Sequence, residues 1–268
     1  MNSITAGHEA ETASSGGGVK SADRLMTLLE HLAQTGEATF SAITAALTMP
    51  NSSAYQLLRT AHRRGFVDFD ENTRTYRLGL RLWEVAQSFS GNLDLPGTAQ
   101  PLMTDLSDET GETVQLARLD GLENVYLAIA ESKQPMKLVS TVGARLPAHT
   151  TGVGKVLLSG LTDEQLRTRL EGVTLQRFTR NTLHSLPDLM TEIQRIRKQG
   201  YGEDNEEYVV GCRCVAMAVR GGNGIPVAAM SVSIPTPRFN RTIARDVRLA
   251  LTRTVAEVER RLGGRPAI

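Results

Sequence analysis

The sequence predicts an α+β chain in two parts: a winged helix-turn-helix at the N-terminus and a larger mixed domain of helices and strands behind it. Three observations predict this. A length of 268 residues suits two domains of ordinary size. Three short helical patterns and a two-strand pattern fill residues 20–78. From about Leu95, helical and strand patterns alternate to the C-terminus. Apolar residues make up 40% and charged residues 22% of the chain, close to the globular mean, which excludes a disordered or fibrous class. Apolar runs such as 215–219 and 227–232 fall far short of the roughly 20 residues that cross a bilayer, so no membrane partner is expected.

The N-terminal elements follow from apolar spacing and turn chemistry. Val19, Ala22, Met26, Leu29 and Ala33 recur at helical spacing, with Leu25, Leu28 and Leu32 widening the stripe, which predicts a helix over 20–33. After Gly36, Ser41 is expected to cap a short second helix with Ala42, Ile43, Ala46 and Leu47 inward, stopped by Met49 and Pro50. Asn51 or Ser52 then caps a third helix carrying Ala54, Leu57, Leu58 and Ala61 inward, and Gly65 ends it. Alternating runs at 67–69 and 75–78, joined by Asp70, Glu71, Asn72 and Thr73, predict a hairpin. Helix, helix, turn, helix, hairpin is the order of a winged helix-turn-helix, placed over residues 19–79. A helix from Leu80 to about Ser90 and a Gly, Asn and Pro stretch at 91–96 predict a linker segment over 80–94. The aromatic residues of that helix, Trp83 and Phe89, make it a candidate for packing against another subunit.

The remaining residues, 95–268, predict one domain. It is expected to hold a helix at 98–110 and strands near 113–119, 125–130 and 137–141. Thr162 with Gln165 forms the capping-box pattern that opens a helix to Leu170. Ser185 with Pro187 opens another that ends at Gly200. Strands near 211–219 and 227–234 and a long helix over 242–262 complete the chain. Residues 1–18 lack the basic start and apolar core of a secretory signal and read as a disordered tail. Cys212 and Cys214 are the only cysteines, too few and too close for a disulfide framework, which fits a reducing cytoplasm.

The net charge of +1 says little about partners. Its distribution says more, since residues 59–81 hold six arginines against three carboxylates. A winged helix-turn-helix sets the first turns of its third helix into the major groove of double-stranded DNA. There Asn51, Ser52, Ser53, Tyr55, Gln56 and Arg59 point outward, Gln suiting adenine and Arg guanine, while the hydroxyls suit phosphates. Thr73 and Arg74 at the hairpin tip, Arg77 on its return strand and Ser41 complete the candidate DNA contacts. Each of these residues alone also suits a solvated polar face; the order of elements is the firmer argument.

In the second domain, the glycines of 143–155 precede an apolar helix, where backbone N–H groups can meet an anion. A tight turn built on glycine alone remains the other reading of that stretch. It is not a nucleotide-binding P-loop, because His149 stands where the first Gly of that pattern falls and Val156 replaces its Ser or Thr. Strand alternation puts Cys212 with Cys214 on one face, and Ser231 with Ser233. With Asp204 and Glu207 they compose the few polar groups of a small-ligand site, or else ordinary core filling. Cys212 and Cys214 with His149 lack the spacing of a zinc site, and His8, His31, His62 and His184 show no partner pattern, so no metal or cofactor is expected. No nucleophile elbow or Cys/His signature is found, which argues against an enzyme.

These residues together resemble the IclR family of bacterial transcriptional regulators over about residues 19–262. The N-terminal part of the resemblance is Pro50-x-Ser52–Ser53-x-Tyr55-x-Leu57–Leu58, Arg64–Gly65–Phe66–Val67 and Tyr76–Arg77–Leu78–Gly79. The C-terminal motifs are Leu146–Pro147-x-His149, Gly152-x-Gly154–Lys155-x-Leu157–Leu158, Gly200–Tyr201-x-x-Asp204-x-Glu206–Glu207, Gly211-x-Arg213–Cys214-x-Ala216 and Ser231-x-Ser233-x-Pro235. The resemblance implies a GAF-like α/β effector-binding domain behind the winged helix, and homodimers, in some members dimers of dimers, on pseudo-palindromic operators. It also implies a small carboxylate or aromatic acid as effector. Leu138 and Leu146 would be the pocket's walls, Gly152 and Val153 its backbone donors, and Asp204, Cys214, Ser231 and Ser233 its polar contacts. Departures from the family pattern are Gln56 for the usual Arg, Ala61 for Leu, Cys212 for an aliphatic residue and Ile234 for Gly, the last two expected beside the pocket.

Overall fold

The computed structural model describes residues 19–89, 94–222 and 224–263, and the expected tail at 1–18 lies outside them. The chain divides between residues 91 and 92 into two units.

In the first unit, helix α1 (Lys20–Thr35) buries Leu28 and Leu32, with Leu25 and Leu29 packed beside them. Val19, Ala22, Met26 and Ala33, expected on the buried stripe, are exposed. The four leucines form a tighter apolar arc than that stripe, and the helix turns the arc to the core. Gly36, at φ 76°, then reverses the chain into a three-residue strand that the sequence reading did not foresee, β1 (Glu37–Thr39).

Helix α2 (Phe40–Ala46) is capped by Thr39, whose Oγ1 accepts from the Ala42 N–H at 3.3 Å, so Ser41 lies in the first turn instead of at the cap. Only Ile43 of this helix is fully buried; Ala42 and Ala46, expected inward, face out. Helix α3 (Asn51–Arg63) begins one or two residues earlier than expected, with Pro50 at the cap position and no side-chain cap, so Asn51 and Ser52 lie in its first turn. Proline's fixed φ sets up the helix start without a capping hydroxyl. Ala54, Leu58 and Ala61 face the core as predicted. Strands β2 (Val67–Asp70) and β3 (Thr75–Leu78) form the hairpin, and β1 adds to it in the order β1-β3-β2. Helix α4 (Leu80–Phe89) follows.

The second unit opens with α5 (Leu95–Thr110), capped by Asp94 and carrying Pro96 in its first turn. Leu95 and Pro96 are therefore helical, where 91–96 was expected to be linker and the helix to start at Thr98; residues 91–93 of the expected linker, and Ser90 before it, lie outside the described residues. A six-stranded antiparallel sheet comprises β4 (Thr113–Asp120), β5 (Glu123–Ala130), β6 (Arg145–Pro147), β7 (Gly202–Asn205), β8 (Cys212–Arg220) and β9 (Pro226–Pro235), in the order β6-β5-β4-β9-β8-β7. Residues 137–141, expected to be a strand, are not one; the strand beside β5 is β6. Side-chain bonds tie the 131–144 segment to the sheet in place of a ladder: Thr113 Oγ1 donates to the Leu138 carbonyl at 3.2 Å and Arg238 to that of Met136 at 2.8 Å.

Alternation along the strands builds two cores. One face, with Val114, Leu116, Met230, Val232 and Ile234, packs on α5 and on α9 (Arg241–Arg261). The other, with Ala117, Tyr126, Ala216 and Ala229, packs on Val153, Val156 and Leu157 of α6 (Gly152–Ser159). Helices α7 (Asp163–Leu170), opened by the expected capping box, and α8 (Leu186–Gln199), capped by Ser185, cover α6 from outside. Ile234 belongs to the α5 and α9 face, so it is not beside the Cys214 and Ser233 row as expected.

Candidate nucleic-acid interface and small-molecule site

Helix α3 stands between two concave surfaces. On one side Tyr55 and Arg59 share a depression of about 480 Å³ with Arg74, Phe69 and Tyr76 of the hairpin. On the other, Ser52, Ser53 and Gln56 line a depression of about 630 Å³ against Ser21, Arg24 and Leu25 of α1. Asn51, Ser52, Tyr55, Gln56 and Arg59 are exposed, and Ser53 is half-buried. His62 Nδ1 lies 3.0 Å from the Val67 carbonyl and fastens α3 to the hairpin, a partner that sequence spacing did not reveal.

The hairpin tip is shaped by Asp70, whose Oδ1 accepts from the Asn72 and Thr73 N–H groups at 2.8 and 3.2 Å. These two bonds hold the Asp70 carboxyl below its ordinary pKa. Arg74, at φ 58°, follows in the left-handed region and is exposed beside Thr73. Arg77 differs from the other candidates, because cross-strand register sets it between Glu37 and Asp68. Ser41 is exposed on α2, its Oγ 3.1 Å from Thr39 Oγ1.

In the second unit, register lines up polar residues from three non-adjacent parts of the sequence. Asp204 pairs with Cys214, Cys214 with Ser233 and Ser233 with Thr113. One step along, Ala216, Ser231 and Gln115 form a second row on the same face. Gln115, 1% exposed, is the hub: Oε1 accepts from Ser233 Oγ at 2.7 Å and Ser231 Oγ at 3.3 Å, and Nε2 donates to Ser140 Oγ at 2.9 Å.

The N-terminal turn of α6 closes on this array. A Cβ on Gly152 would lie 2.5 Å from Cys214 Sγ, so only glycine lets the helix come this close. Thr151 Oγ1 accepts from the Gly154 N–H at 3.0 Å and donates to Asn124 Oδ1 at 2.7 Å. Capping therefore satisfies the third N–H of the helix, while those of Gly152 and Val153 have no acceptor within the helix. Leu146 packs beside Val153, and Leu138 is half-buried in the 131–144 segment.

Burial raises the pKa of the acids of this array. Asp204 is pushed up to about 7 by desolvation, against the opposing pull of the Glu207 N–H bond to its Oδ1. Desolvation raises Cys212 to about 12 and carries Cys214 well above its usual range. The formal anion of the neighbourhood is instead paired: Lys155, 1% exposed, sets its Nζ 2.5 and 2.6 Å from the two Glu207 oxygens. Gln115, Asn124, Tyr126 and Lys155 were missed by sequence reasoning. For Lys155 a signal was present, since a lysine inside an apolar helix needs a buried carboxylate partner.

Residues 87–260 match the family described as bacterial transcriptional regulator IclR, C-terminal, and residues 21–71 match the IclR helix-turn-helix domain. The chain belongs to the IclR family. This IclR-family chain is 35% identical over 223 residues to the HTH-type transcriptional repressor AllR of Salmonella typhi, covering 83% of this chain and 82% of that one. It is 34% identical over 246 residues to the HTH-type transcriptional regulator XynR of Escherichia coli K12, covering 91% and 98%. An IclR homolog from Microbacterium hydrocarbonoxydans, crystallised with 4-hydroxybenzoate, shares the fold at a TM-score of 0.79 and 24% identity, over 91% of this chain and 99% of that one. The IclR assignment makes the chain a transcriptional regulator with a helix-turn-helix DNA-binding domain, and not an enzyme. Among the described residues no helix is long and apolar enough to cross a membrane.

Proposed function

We propose that this IclR regulator grips its operator through α3 and the β2–β3 hairpin, and that a small organic acid seated between α6 and the sheet controls operator affinity. One observation carries the reading: the first turn of α6, whose Gly152 and Val153 N–H groups have no acceptor within the helix and whose Gly152 N–H turns to Cys214, meets the polar row of Asp204, Cys214 and Ser233. A carboxylate suits the N-terminal turn of a helix. Asp204, the Cys214 thiol and the two serines would meet hydroxyl or carbonyl groups of the acid, with Leu138 and Leu146 as apolar walls. Support of a coarser kind comes from the Microbacterium homolog, whose ligand is an aromatic acid.

DNA contact is assigned to Asn51, Ser52, Ser53, Tyr55, Gln56, Arg59, Thr73 and Arg74, with Ser41 and Arg77 at the margin. The regulator acts in the cytoplasm as a homodimer or a dimer of dimers on a pseudo-palindromic operator. Control requires only that the acid bind one arrangement of the DNA-binding heads more tightly than another. The test is a panel of small carboxylates and aromatic acids, 4-hydroxybenzoate among them, scored for thermal stabilisation and for operator affinity by fluorescence anisotropy. At least one acid is expected to move both quantities, and a panel that moves neither sinks the proposal.

A further inference from the structure

A second polar cluster lies on the opposite face of the C-terminal sheet. Alternation turns Arg213 away from the Cys212 and Cys214 face and toward α9. There Tyr201, Glu203, Arg213, Phe239, Arg241 and Arg248 line a depression of about 440 Å³. The Arg213 guanidinium lies 3.7 Å from the Phe239 ring centroid, and that of Arg248 4.8 Å from the Tyr201 centroid. Stacking occupies the faces of both guanidinium groups and leaves their N–H edges for a ligand.

Those edges lack partners. Arg213 Nε is buried and bonded to no acceptor, so the protein itself does not compensate this guanidinium, and a ligand would do so at its terminal nitrogens. Among the described residues Arg213, Arg241 and Arg248 make no ion pair, whereas Arg245 at the rim is paired with Asp246 at 2.9 Å. Glu203 is the one carboxylate on the lining, so three unpaired arginines leave two positive charges in excess. Arg241 also opens the 21-residue α9, whose N-terminal dipole adds to the positive field.

The geometry points to a phosphate-binding site in this depression, independent of the organic-acid site. A single carboxylate would leave positive charge uncompensated, while a phosphate group carries about −1.5 to −2 near neutral pH and matches the guanidinium fork. The group comes either from free phosphate or from a small phosphomonoester.

Calorimetric titration of the full chain with inorganic phosphate and with glycerol 3-phosphate, against sodium chloride at equal ionic strength, tests this. Saturable binding is expected, weakened at least about tenfold by Arg213→Met, which keeps the aliphatic stem on Phe239, and by Arg241→Ala, an exposed change that leaves the core intact. Tighter binding of the ester identifies a phosphomonoester as the ligand, and tighter binding of the inorganic ion identifies free phosphate. Binding no stronger than chloride overturns the site, as does binding indifferent to both substitutions. Ser233→Ala is expected to leave phosphate binding unchanged; its loss there would move the anion to the other face and overturn the assignment.

Discussion

Burial keeps Asp204 protonated up to about pH 7, whereas the same carboxyl in an unfolded chain ionises near 4. Between those values the native state holds a proton that the unfolded state has lost, so this residue's contribution makes stability fall as pH rises from about 4 to about 7 and level off above. Asp204→Asn keeps an acceptor for the Glu207 N–H and removes the titration. The variant is expected to be more stable than the parent at pH 8, by at most about 4 kcal/mol, with the gap closing by pH 4. Melting curves across that range measure it, and a gap that does not change with pH contradicts the buried neutral carboxyl. On α3, Arg59 shares its groove with Tyr55 and Arg74. If it meets a base edge, Arg59→Ala weakens operator binding by about 1–3 kcal/mol in an anisotropy titration, and an unchanged affinity removes it from the interface. At this scale the sequence was readable wherever period-two spacing was enough, as for Cys212 with Cys214 and Ser231 with Ser233. Gln115 was not readable, because its meaning depends on β4 pairing with β9, and its bonds to Ser231 and Ser233 span 116 and 118 residues.

Element-level legibility follows the range of the forces that define each element. The capping box of α7 and the Ser185 cap of α8 are local chemistry and stood in the sequence as they stand in the structure. Strands β1, β6 and β7, of three or four residues, lack the turn between two matched runs that made the equally short β2 and β3 readable, and each exists through its pairing with a strand distant in sequence or across a loop. The 137–141 segment shows the converse, a strand-like pattern tied down by side-chain bonds, from Thr113 to Leu138 and from Arg238 to the neighbouring Met136, instead of by a ladder. Helix α6 is the element on which the proposed acid site depends, since its approach to β8 is set by Gly152. Gly152→Ala puts a methyl group into contact with Cys214 and is expected to cost about 1–3 kcal/mol and to abolish the thermal response to acids. Cys214→Ala makes space for that methyl, so the double variant should recover much of the lost stability, a coupling that a double-mutant cycle reads directly. Additive losses would mean that the two residues do not meet.

At the scale of the whole molecule, helix α4 presents Leu80, Trp83 and Val85 at 67%, 61% and 48% exposure. Three large apolar side chains left in water on one ten-residue helix carry a cost that a second copy would remove. One winged helix reads few base pairs, and pairing two of them on half-sites about 34 Å apart adds both affinity and specificity. Self-association and DNA recognition are therefore expected to share α4, while acid binding in the second unit is not. The full chain should sediment as a dimer or larger at micromolar concentration. Trp83→Glu should shift it toward monomer and weaken operator binding by at least about tenfold, near 1.4 kcal/mol. The thermal shift produced by an acid should survive, because Gly152, Gln115 and Asp204 all belong to the other unit. A variant that stays dimeric with full operator affinity would show that the exposed face of α4 serves another purpose. Loss of the acid response along with dimerisation would mean that the site is complete only in the assembled protein.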